Sequence, residues 1–196
     1  MSVSLTKNQT VSLVKKASGI LTSITLGVGW DVAKPRGLLA TIIGRGNNSI
    51  DLDASAIVLD SRANVTDTIW FRQLQSRDGS IRHSGDNLTG EGEGDDETIT
   101  VDLTRLPANV EHVVLTVNSF RGQTFNNIDN AYGRVVDNSN GHELARFPIS
   151  GSGPHTGLIL ASLSRNNGDW TFKALGHRTN GRTVHELVGE VTRILQ

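Results

Sequence analysis

Between residues 10 and 176, apolar residues recur at alternate positions in one short run after another, bounded for the most part by turn residues such as glycine, asparagine, aspartate or proline. Side chains that repeat with period two belong to strands that bury one face. The runs are TVSL (10–13), GILTSITLGV (19–28), SIDLDASAIVLD (49–60), DTIWFRQLQ (67–75), ETITVDL (97–103) and EHVVLTVNS (111–119), followed by YGRVVD, ELARFPI, GLILASLS and DWTFKALG. Ten such strands with no helical segment between them must bury their faces on one another, which predicts an all-β, two-sheet sandwich. Asp78-Gly79, Asn140-Gly141 and Asn166-Asn167-Gly168 tolerate the positive φ that tight hairpin turns require, and the last joins GLILASLSR to DWTFKALGH.

Only the C-terminal end reads as a helix. Val184, Leu187, Val188, Val191, Ile194 and Leu195 share one face, and Thr183 with Glu186 forms a capping box ahead of them. A chain of 196 residues with 36% hydrophobic content can fill one core, so residues 1–196 are expected to form a single domain. Net charge is −1 with scattered lysine and arginine, which leaves no basic stripe for a phosphate backbone and argues against nucleic acid as a partner. The absence of cysteine excludes disulfides, thiolate metal sites and thiol redox chemistry. No run approaches the length of a membrane span, and the chain reads as cytoplasmic. Residues 32–48, with LLATII between Pro35 and a Gly/Asn-rich tail, read as a loop insertion.

The stretch HSGDNLTGEGEGDDE (83–97) is the chemical anomaly. Asp86, Glu91, Glu93, Asp95, Asp96 and Glu97 crowd one loop, and no lysine or arginine occurs between Arg82 and Arg105. Two carboxylates about 6 Å apart repel by roughly 0.7 kcal/mol in water and about 3 kcal/mol at an effective dielectric near 20. Gly85, Gly90, Gly92 and Gly94 allow sharp turns that aim backbone carbonyls inward, as close approach to an ion requires. In SIDLDASAIVLD, alternation puts Ile50, Leu52, Ala54, Ala56 and Val58 on one face and Asp51, Asp53 and Ser55 on the other. Adjacent carboxylates on a strand face call for an arginine, a lysine or a cation. Oxygen ligands in a glycine-rich loop suit Ca²⁺ better than Mg²⁺, and with only His83 nearby they do not suit zinc. His83 itself reads as a hydrogen-bonding residue, and the pattern is not an EF-hand, because Ala56 stands where that loop needs glycine.

With these residues in view, GWD (29–31), DLDAS (51–55), the 83–97 loop, VDLTRLP (101–107) and FNNIDNAYGRVVD…HELARF together resemble the TerD family of bacterial tellurite-resistance and stress proteins. The insertion after GWD, IWFRQL, and NSFRGQTF (118–125) are most similar to the TerZ members of that family. The resemblance spans essentially the whole chain. It implies a cytoplasmic β-sandwich that binds calcium, usually two ions, through acidic loops. The family motif falls on Asp86, Asn87, Glu91, Glu93, Asp95, Asp96 and Glu97, and its shorter motifs on Asp31, Asp51 and Asp53. Relatives in the same resistance system, including a TerC-like membrane protein, are the implied partners, which would recruit the chain to the inner face of the membrane.

The expected function is a calcium-binding, non-enzymatic scaffold or sensor in a chemical-stress or tellurite-resistance system. Calcium-dependent recognition of an anionic membrane lipid or another anionic ligand is the alternative. A metal-assisted hydrolase ranks below both, because general acid and base groups need distinct environments and these acids are consecutive and alike. No G-x-S-x-G or P-loop accompanies them.

Overall fold

The alternating runs pair into two antiparallel sheets. In the computed structural model, which describes residues 10–12, 21–31, 50–90, 94–166 and 169–196, the first sheet contains β1 (Thr10–Ser12), β3 (Leu52–Leu59), β4 (Val65–Ile69), β7 (His112–Ser119), β10 (Gly157–Asn166) and β11 (Asp169–Thr179). The second contains β2 (Ser23–Gly29), β5 (Ile81–His83), β6 (Glu97–Asp102), β8 (Tyr132–Asp137) and β9 (His142–Pro148). Their orders are β1-β11-β10-β7-β3-β4 and β5-β6-β2-β8-β9. The segment 32–48 and residues 167–168 of the expected hairpin turn lie outside the described residues; the strands on either side of 167–168 pair with Asn166 opposite Asp169.

The core lies between the sheets. Ile24, Leu26 and Val28 of β2 and Ile99 and Val101 of β6 face Leu52, Ala54, Ala56 and Val58 of β3 and Val113, Leu115 and Val117 of β7. A helix, α1 (Val184–Leu195), covers the outer face of the six-stranded sheet. Its Val184, Val188, Val191, Ile194 and Leu195 pack on Ile57, Leu59, Val114, Ile159 and Leu175. β3 is therefore buried on both faces, a fact that decides the character of its first residues.

Two local expectations change in detail. The run 67–75 is not one strand: β4 ends at Ile69, and Trp70 and Gln73 exchange backbone hydrogen bonds of 3.1 and 2.8 Å around Phe71-Arg72. Alternation survives there because a tight turn folds the chain back at once, so period two does not separate a strand from a hairpin. At α1 the Thr183 hydroxyl makes no bond to a helical N–H. It donates instead to Glu186 Oε1 at 3.2 Å, while Glu186 Oε2 accepts the Arg182 N–H at 3.2 Å. The glutamate thus caps from one residue further back than a capping box would place it.

Candidate metal site

β7 pairs with β3 along its whole length, but β4 pairs with the other edge only from Ala56 onward. The N–H and C=O of Ala54 therefore point at an edge without a ladder partner, which in a buried position is costly. Side chains from the opposite sheet and its loop fill the gap. Glu97 Oε2 accepts the Ala54 N–H at 2.8 Å, and His83 Nε2 lies 3.1 Å from Ala54 O. Because the Gly85 N–H donates to His83 Nδ1 at 3.0 Å, the ring proton belongs on Nε2, where it donates to that carbonyl. Both ring nitrogens are engaged, as a hydrogen-bonding histidine requires. The other oxygen of Glu97, a residue with 0% exposure, accepts the Asn87 N–H at 3.1 Å and so fastens the acidic loop to β3.

This fastening brings Asp86 to Asp51 and Asp53, and the three carboxylates offer oxygens that all lie within 4.8 Å of one another. Asp86 is exposed, whereas Asp51 and Asp53 are only 2% and 3% exposed. Alternation correctly puts these two aspartates opposite the core face, yet that face is shielded from water here, with Arg121 beside Asp51 and Asn118 beside Asp53. Burial, then the charges of Glu97 and Asp51, push Asp53 up to about 8. Burial and the charge of Asp86 raise Asp51 too, with Arg121 opposing them. Arg121 Nε reaches Asp51 Oδ2 at 3.5 Å and is the one guanidinium this close to the cluster among the described residues.

Asn118, directly across from Asp53 in the β3–β7 register, completes the pocket wall. Its Nδ2 donates to Asp53 Oδ2 at 3.0 Å and to the Arg182 carbonyl at 2.6 Å. Its Oδ1 and Asp51 Oδ1 are buried without a hydrogen-bond partner, a state that buried polar atoms rarely occupy. Sequence reasoning missed Asn118. The available signal was a polar residue at an outward position of the strand HVVLTVNS, two positions after Thr116 on the same face.

The remaining candidate ligands are placed elsewhere. Asp96 Oδ2 accepts the Trp30 N–H at 2.8 Å and Oδ1 accepts Asn87 Nδ2 at 3.2 Å; burial raises its pKa, with the Asp95 and Asp31 charges adding. Asp31, at the end of β2, accepts from Asn130 Nδ2 at 2.5 Å. Asp31 and Asp96 thus form a second acidic pair at the other end of the loop. Asn87 Oδ1 accepts from the N–H groups of Thr89 and Gly90 at 3.1 and 3.0 Å, so this side chain wires the loop to itself. Glu91 and Glu93 lie outside the described residues.

Asp95 turns away from both groups. It takes Arg134 through contacts of 2.8, 3.0 and 2.9 Å and the Tyr132 hydroxyl at 3.1 Å, over the outer face of the five-stranded sheet. Gly27 makes room for it, since a Cβ there would overlap the Asp95 carboxylate. Gly27→Ala is accordingly expected to lower stability by about 2 kcal/mol, a cost typical of overpacking, in urea unfolding. Combining it with Asp95→Ala should recover most of that loss if the overlap is its cause.

Comparison with known proteins adds relatives to this geometry. Residues 1–190 match the family model described as the TerD domain. The chain is 56% identical over 189 residues, covering 96% of each chain, to the tellurium resistance protein TerZ of Serratia marcescens. It is 38% identical over 197 residues, 96% of this chain and 98% of the other, to the stress response protein SCP2 of Bacillus subtilis. It is 36% identical over 184 residues, 90% of each, to the tellurium resistance protein TerD of Serratia marcescens. A crystal structure of a Streptomyces coelicolor homologue of telluride resistance protein superposes with a TM-score of 0.73 at 21% identity, covering 88% of this chain and 98% of that one, and shares its fold.

Proposed function

The chain belongs to the TerD family, and on that premise we propose that it is a calcium-binding, non-enzymatic scaffold or sensor protein of a bacterial tellurite-resistance and stress-response system. The observation that carries this reading is an under-neutralised pocket. Asp51, Asp53 and Asp86 converge, while the buried Asp51 Oδ1 and Asn118 Oδ1 have no partner. A divalent cation would satisfy all of these oxygens together. Carboxylates with an amide carbonyl form the hard oxygen set that Ca²⁺ accepts with loose geometry, and the engaged nitrogens of His83 leave no soft or imidazole donor for zinc. The ion would supply the positive charge that holds the 83–90 segment against β3, and a second ion would sit by Asp31 and Asp96.

The non-enzymatic part rests on the same contacts. Glu97, Asp95 and Asp96 spend their oxygens on N–H groups and on Arg134, and this wires a loop without leaving an acid and a base facing a substrate. Among the described residues no helix is long and apolar enough to cross a membrane. A cytoplasmic protein acting beside other tellurite-resistance proteins, with a TerC-like membrane protein among its partners and the inner face of the membrane as its meeting place, is part of the same proposal.

Isothermal titration of chelator-treated protein with calcium tests it. Saturable binding is expected, with a stability gain of about 2.7 kcal/mol at a hundredfold excess over Kd. Absence of heat, together with unchanged melting, would defeat the reading. Arg121 refines the test, because its charge neutralises Asp51 only while the pocket lacks an ion. A single charge about 6 Å from a divalent ion repels it by roughly 1.4 kcal/mol even in water. Arg121→Gln is therefore expected to tighten calcium binding by about tenfold in the same calorimeter.

A further inference from the structure

Beside the acidic cluster, on the side of the six-stranded sheet that carries α1, a row of aromatic rings lies partly exposed. Trp70 and Phe71 meet edge to face at 4.8 Å, Phe71 and Phe120 at 5.6 Å, and Trp70 and the exposed His185 at 4.8 Å. Three guanidinium groups border the row. Arg72 lies 5.5 Å from the Trp70 ring and 5.3 Å from the Phe71 ring, and Arg182 Nε donates to Phe120 O at 2.9 Å. Arg121 follows Phe120 in the chain and touches Asp51 only at 3.5 Å. Among the described residues, neither Arg72 nor Arg182 forms a salt bridge, and no hydrogen bond engages the terminal nitrogens of any of the three.

Arginine forks with free edges fit carboxylates two-pronged, and arginine with tryptophan and other aromatic residues is the composition of interface hot spots. The rings are half-buried and held by edge-to-face contacts, which suits a floor for apolar side chains better than a wedge for a bilayer. We infer that this surface docks an acidic segment of a partner protein, its carboxylates on Arg72, Arg121 and Arg182 and an aromatic or aliphatic side chain on the Phe71–Phe120 floor. Without the cation the docking rests on Arg72 and Arg182, because Arg121 then faces Asp51. Its dependence on calcium rests on the reading above, since an ion on Asp51 frees Arg121 for the partner.

The test is a selection of random displayed peptides on the full chain, with calcium and with chelator, followed by fluorescence anisotropy of the selected peptides. Enrichment of aspartate and glutamate interspersed with phenylalanine, tryptophan or leucine is expected. Affinity should fall about tenfold or more in Arg72→Gln/Arg182→Gln, as for the loss of two hot-spot contacts, and Arg72→Lys, which retains the charge but not the two-pronged fork, should fall between wild type and Arg72→Gln. A pool without acidic enrichment overturns the inference. So does binding that is unchanged in the double variant while its melting matches wild type, or sedimentation with phosphatidylglycerol vesicles when no peptide is selected. Calcium isotherms run in parallel separate the two ideas. Acidic peptides that need Arg72 and Arg182 in a chain that takes up no calcium would keep the docking and remove only its metal dependence.

Discussion

Asp53→Asn is expected to melt about 10 °C above the wild type in chelator at pH 8, and to lose calcium affinity by more than ~100-fold. Both effects come from one carboxylate. Its pKa stands at about 8 against an ordinary 3.8 because burial, Glu97 and Asp51 all oppose its charge. At ~1.4 kcal/mol per pH unit that displacement corresponds to roughly 6 kcal/mol. About half of this, ~3 kcal/mol, is the realistic gain once Asp51 and nearby water relax around the neutral side chain, and a domain of this size shifts by about 2–4 °C per kcal/mol. The amide keeps an oxygen for the Asn118 Nδ2 bond, so the local geometry survives.

The sign with pH follows from the direction of the shift. An acid whose folded pKa lies above its unfolded value binds its proton more tightly when folded. Its stabilising contribution is complete below the unfolded pKa and is lost as pH rises through the folded one. The metal-free wild type should therefore lose stability between about pH 4 and pH 8 through Asp53, and Asp51, also raised, acts in the same sense. His112 and His155, whose imidazoles burial pushes below 6.5, oppose this on the acid side, since they resist the charge that the unfolded chain accepts. The discriminating quantity is the difference between wild type and Asp53→Asn, measured by urea unfolding across that range. Two curves that run parallel would show that Asp53 carries no such strain. In saturating calcium the order of the two proteins should reverse, because the ion replaces the proton as the source of positive charge.

How much of this was legible beforehand depends on how local each signal is. Alternation lies within single runs, so the sandwich, the β8–β9 turn with Gly141 at φ 73° and the apolar stripe of α1 can be read from the chain itself. Charge crowding also lies within one run, which is why the 83–97 loop stands out. Crowding, however, does not say which carboxylates meet. Asp95 and Asp96 are adjacent in a strand lead-in and so point to opposite sides; one meets Arg134, the other Trp30 and Asn87. Asn118 stands beside Asp53 through the β3–β7 register, a relation between residues 65 positions apart that no window of sequence contains. The neighbours of the buried Asp51 and Asp53, Arg121 and Asn118, are likewise distant in sequence, and Asn118 is in turn held by the Arg182 carbonyl. The missing information is thus pairing register, and it converts a list of acidic residues into a pocket plus two sets of structural contacts.

Glu97→Ala is expected to be the most damaging change in the loop. One buried carboxylate accepts from Ala54 N–H at 2.8 Å and Asn87 N–H at 3.1 Å, with His83 Nε2 3.4 Å away. Alanine strands both amides in the interior, at ~1–3 kcal/mol each, and opens a cavity between the sheets. A loss of about 4 kcal/mol follows, which at ~2–4 °C per kcal/mol is a fall of roughly 10–15 °C in Tm. Glu97→Gln keeps one carbonyl oxygen for one amide but turns its own N–H₂ toward the other, so it should fall between wild type and alanine. Calcium binding should weaken in both, even though removing a negative charge eases the repulsion on Asp53, because Asp86 reaches the pocket only while Asn87 is anchored. Hydrogen exchange locates the effect: the amides of residues 54 and 87 should lose protection together, while those of β8 and β9 keep theirs. If the alanine variant melts with the wild type, Glu97 does not hold the sheets together here, and the convergence of Asp86 on Asp51 and Asp53 needs another cause.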